Sequence, residues 1–184
     1  MNRKGCVALL IVSGLVFGAG FPAQAEEDSS ALVDASNAAI AEAAAAVEEA
    51  RISIENGKQL VTMIPADSPL IAEVAEMLQA ASANWSVAVD ALEGAQESAN
   101  KIESASNMEI ARDYKLLAKV SSGVALSGAK VVQTGLLFVE AAANNKTESL
   151  DIIREAMQGS LAAAEQVQFN YERIKVLIAE KYTK

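Results

Sequence analysis

The chain has 184 residues with 24 acidic and 15 basic side chains, no histidine and one cysteine, for a formal net charge of -9. Without histidine, a Ser-His-Asp triad, a Cys-His nucleophile and the Glu-x-x-His pairs of di-iron bundles are excluded. The acidic balance argues against nucleic acid or an anionic membrane surface as partner, because both require a basic footprint.

Arg3 and Lys4 precede an apolar stretch from Cys6 to Phe21, which closes on Ala23-Gln24-Ala25. That order is the pattern of a secretory signal peptide cut before Glu26, and the apolar run is short for a membrane span. Cys6 lies at the upstream end of the run, away from where a lipid-bearing cysteine would stand. The predicted organisation is a signal peptide over 1–25 and one domain over 26–184. The domain would be held without disulfides, in the periplasm or outside the cell.

The first helix is expected from Glu27 to about Gln59, rich in alanine and glutamate. Val33, Ile40, Val47, Ile54 and Val61 recur every seven residues, and Ser36, Ala43, Ala50, Gly57 and Ile64 follow each by three. This is an apolar seam along a helix. Pro65 ends the helix, and Ala66-Asp67-Ser68-Pro69 reads as a turn in which Ser68 caps the next helix. Helix two then runs to about Ser104 along Leu70, Val74, Met77, Ala81, Ala88, Ala91, Ala95 and Ile102. Trp85 sits beside that seam, and its indole N–H is expected to find a partner at the edge of the core.

After a turn at Ser104–Asn107, helix three carries Ile110, Leu117, Val124, Val131 and Phe138 every seven residues, with Tyr114, Ser121, Gly128, Gly135 and Ala142 as companions. Glycine inside a helix costs about 1 kcal/mol relative to alanine, so two on one face need a compensating reason. Either a neighbouring helix approaches closely, or the space receives a bulky side chain such as Trp85 or Tyr171. Lys119, Lys130 and Glu140 punctuate the segment, and its glycines lack the spacing of a membrane dimerisation motif. A turn at Asn144–Thr147 leads to helix four, whose seam runs through Leu150, Ile153, Met157, Ser160, Ala164, Val167, Tyr171, Ile174 and Ile178, with Phe169 and Leu177 expected to widen it.

Four long helices joined by short turns predict an all-α fold, a long antiparallel up-down-up-down four-helix bundle. Its core should include Ile40, Val47, Ile54, Leu117, Val124, Val131, Ile153, Val167 and Ile174. No cofactor or metal is expected. Met77 and Met157 fall on seams and serve packing, and the scattered carboxylates form no twelve-residue calcium loop.

The residues therefore point to an exported interaction or structural protein that is not an enzyme. It would bind a protein partner or a second copy, with no membrane span after cleavage. Residues Glu26 to Ser104 carry 15 acidic side chains against three basic, so Glu42, Glu48, Glu49 and Glu55 on helix one form the expected partner surface. The alternative is a periplasmic small-molecule sensor or carrier, with an inter-helix pocket at Trp85, Ser121, Gly128, Gly135 and Tyr171.

Overall fold

A computed structural model describes residues 28–182, and the predicted signal segment lies outside them. These residues form four α-helices packed against each other: α1 (Ser29–Val61), α2 (Ile71–Asn100), α3 (Met108–Ala143) and α4 (Leu150–Tyr182), with a 3-10 turn at Thr147–Ser149. Local chemistry sets their ends. The Asp28 carboxylate accepts from the Ala31 N–H at 2.9 Å, and Asn107 does the same for Ile110 at 3.0 Å. Helix α2 begins two residues later than Pro69, because Ser68 spends its hydroxyl on the Leu70 N–H and closes a tight turn first. Helix α3 ends in a Schellman turn. Asn145 takes a left-handed φ of 54°, while Lys146 N–H reaches Ala141 O and Asn145 N–H reaches Ala142 O.

The core is a stack of small layers, nearly all drawn from α1, α2 and α3. From one end these are Leu32 with Ile102 and Ala111; Ile40 with Ala95, Ala99 and Ala118; and Val47 with Ala88, Ala91 and Val124. Next come Ala50 and Ile54 with Ala81, Ala129 and Val132, and then Ile64 and Val74 with Phe138, Val139 and Leu150. Buried serines are satisfied: Ser36 and Ser122 donate to carbonyls one turn back, and Ser121 donates across to Ala91 O at 2.6 Å.

Helix α3 is the centre, packing on α1, α2 and α4 alike. It is the one described helix with an 18-residue stretch apolar enough to cross a membrane, and 61% of that stretch is buried here. The glycine question resolves toward close approach. A Cβ on Gly128 would lie 2.9 Å from Asn84 O and 3.0 Å from Ala88 Cβ, so the backbones of α2 and α3 meet there. Gly135 faces the Met157 methyl and Ala81, and Gly123 faces Val167. Trp85 and Tyr171 do not fill these spaces.

Helix α4 departs most from expectation. No Cα of α4 comes within 8 Å of α1 or α2, and only Leu150 and Met157 along it are buried. The predicted core residues Ile153, Val167 and Ile174 are therefore half-buried, as is Leu117 on α3. The physical reason is that α4 has one close neighbour, so its apolar stripe is covered on one flank. Phe169 and Leu177, expected to widen the α4 seam, are instead exposed, whereas Ile40, Val47, Ile54, Val124 and Val131 are buried as expected.

Two glycines make a test of the close approach. Gly128→Ala should lower the melting temperature despite a propensity gain of about 1 kcal/mol, because overpacking against backbone costs about 1–3 kcal/mol. Gly159→Ala meets nothing within 4 Å and should raise it. Thermal denaturation of both variants checks the pair.

Candidate functional site

The gap left between α2 and α4 is floored by α3. It forms two adjoining open clefts of about 270 and 220 Å3 that share Val87, Val124 and Gln168. The first is walled by Asp90 and Ala91 of α2 and by Tyr171, Glu172 and Lys175 of α4; the second adds Asn84, Gly128 and Glu165. The Lys175 ammonium sits 5.6 Å from the centre of the Tyr171 ring and 3.8 Å from the Glu172 carboxylate.

Of the five residues expected to line one pocket, two line clefts, Tyr171 the first and Gly128 the second. Trp85 turns away toward α1, where its indole N–H donates to Val47 O at 3.3 Å. Ser121 is committed to Ala91 O, and Gly135 is covered by Met157. Val87, Asp90 and Gln168 gave no sequence signal, since they line a space that exists only because α4 stands off from α2.

Glu42, Glu48, Glu49 and Glu55 are all exposed. At about 100° per residue they fall on two stripes roughly 120° apart, Glu42 with Glu49 and Glu48 with Glu55. The second stripe is internally paired: Arg51 binds Glu48 at 2.8 Å and Lys58 binds Glu55 at 2.8 Å. These hydrogen bonds hold both carboxyls below their ordinary range.

Two polar clasps tie α4 to the remainder. Near its start, Arg154 grips Glu73 with two hydrogen bonds of 2.5 and 2.9 Å, also reaches Asp151, and lies 5.5 Å from the centre of the Phe138 ring. The Arg154 hydrogen bond outweighs partial burial and lowers the Glu73 pKa. Near its end, Lys181 binds Asp113 and Glu109, each at 2.7 Å, and the Tyr182 hydroxyl donates to Asp113 at 2.5 Å. Burial would raise the Asp113 pKa, but the Lys181 and Tyr182 hydrogen bonds together bring it below the usual value.

Among the described residues no three His, Cys, Asp or Glu side chains gather to hold a metal ion, and no buried side-chain polar atom lacks a partner. Comparison with known protein families, curated sequences and solved structures finds no significant match to this chain.

The clasps carry a pH dependence. A carboxyl whose folded pKa is lowered adds stability that is present above its unfolded pKa, near 4.3 for Glu, and lost as pH falls through the folded value. Melting temperature should therefore drop steadily as pH falls below about 4. In the double variant E73Q/D113N that acid limb should be shallower, while the melting temperature at pH 7 starts lower.

Proposed function

We propose that this chain is an exported helical-bundle protein with an interaction or structural role and no catalytic chemistry. Its helices would run up, down, up and down. That course is supported by the order of neighbours: Leu32 lies with Ile102, Val47 with Trp85 and Gly57 with Leu78, so advancing along α1 means retreating along α2. The same reversal relates Gly128 and Gly135 to Ala88 and Ala81, and relates Asp113, Gly123 and Gly135 to Lys181, Val167 and Met157. In this reading the apolarity of α3 serves a central position rather than a membrane span. The N-terminal 25 residues would be removed on export to the periplasm or beyond.

The observation that carries an interaction role is the outer side of α4. Phe169 is 63% exposed and Val176 52%, two turns apart on one side of a regular helix, with Leu177 beside them at 55%. Exposed apolar groups that gather into one patch mark a contact surface, where singly scattered ones do not. The acidic stripes of α1 would then steer approach rather than supply the contact. The clefts beside Tyr171 support a second reading, a small-molecule carrier.

A photo-crosslinking amino acid at Arg173, on the Phe169 side of α4, tests the main reading. One dominant protein adduct should form in cells, and F169S/V176S should reduce it at least several-fold with little change in melting temperature. E42Q/E48Q/E49Q/E55Q should slow capture without removing it. If the adduct survives F169S/V176S unchanged, this surface is not the contact.

A further inference from the structure

Helix α4 is attached differently from the other three. It buries two of its 33 residues, whereas α3 buries fifteen of 36. Of the buried residues in the five core layers only Leu150, at its first position, comes from α4, while Ile153, Val167 and Tyr171 pack half-buried against two of those layers. Beside the buried Leu150 and Met157, its polar links are the clasps at either end, Arg154 on Glu73 and Lys181 with Tyr182 on Asp113. Between them the hydroxyls of Thr134 and Ser160 meet at 3.4 Å. Ion pairs at such partly exposed sites are weakened by salt, and a helix with little buried apolar surface belongs to the least stable part of a fold. The left-handed Asn145 and the following 3-10 turn form a junction at the helix start, where hinges are commonly found.

We propose that α4 detaches from the α1–α3 core as one unit, and that the strip of α3 it uncovers receives the α4 of a second copy. The strip, running past Gly123, Gly135 and Phe138, is shaped to Val167, Met157 and Arg154. A second copy brings those same side chains, so the packing and ion pairs broken on opening re-form between molecules, and higher protein concentration favours the exchanged arrangement. This exchange is independent of any partner on the outer side of α4.

Hydrogen exchange of the full chain tests the opening. The α4 amides should exchange together, at least about tenfold faster than those buried in α1–α3, and faster again in about 0.5 M sodium chloride. Trp85 lies on the α1 side of α2, so its emission should stay unchanged in that salt. Protection of α4 equal to that of α3, or a salt effect that moves Trp85 as well, overturns detachment.

The occupant is tested in a C6S background with T134C on one copy and S160C on another. After mixing in about 0.5 M salt and mild oxidation, a disulfide joining the two species should form in several-fold excess over a T134C and G159C mixture. No excess overturns exchange between copies. In one chain carrying both T134C and S160C, oxidation should restore α4 protection, and unchanged fast exchange there also counts against the proposal.

Discussion

The backbone approach of α2 to α3 at Gly128 governs the molecule. With alanine at Ala81, Ala88, Ala91, Ala95 and Ala99 along one side of α2, few bulky side chains hold the helices apart. Each alanine buries little apolar area, but it also loses no rotamer freedom on folding. Close axes recover through dispersion between main chains what large side chains would otherwise supply. Serine fits the same design, since Ser121 can bond the Ala91 carbonyl on the neighbouring helix only because that helix is near. Phe138 is the largest fully buried side chain, and it lies toward the Ile64 and Val74 end of the stack.

Much of this was legible in residue order, and the omissions share a cause. The small companions on helix one, Ser36, Ala43, Ala50 and Gly57, are all buried together with Ile64. At the ends the sevenfold repeat drifts, so Leu32 is buried where Val33 is only partly covered. A straight helix turns every 3.6 residues rather than 3.5, which produces that slip. On α3 the repeat found Val124, Val131 and Phe138 but not Ala111, Ala118, Ala125 or Ala129. Ala111, Ala118, Ala125, Val132 and Val139 also recur every seven residues, but alanine is an excellent helix former inside or outside a core, so a repeat written largely in alanine does not by itself mark burial.

Tertiary placement was less legible than local pattern. The indole N–H of Trp85 found its partner, as its position beside a seam suggested. Arg154 meets Asp151 only three residues away, while its bond to Glu73 joins positions far apart in the chain and depends on how α4 is laid down. Likewise Tyr171 and Gly128 could be singled out, yet their cleft neighbours Val87 and Asp90 became relevant only through the separation of α2 and α4. An amphipathic stripe tells which side of a helix turns inward. It does not tell how many neighbours will cover it.

The gradient from the crowded α2–α3 contact to the sparsely covered α4 also bears on how this protein can change over time. Where a single added carbon strikes a carbonyl, hardly any replacement is admissible. Along the outside of α4, most positions could vary without the rest of the fold registering the difference. Divergent copies of such a chain would keep a nearly silent run of glycine, alanine and serine on α2 and α3 while α4 wandered. New contacts could then be acquired on that helix at little risk to folding.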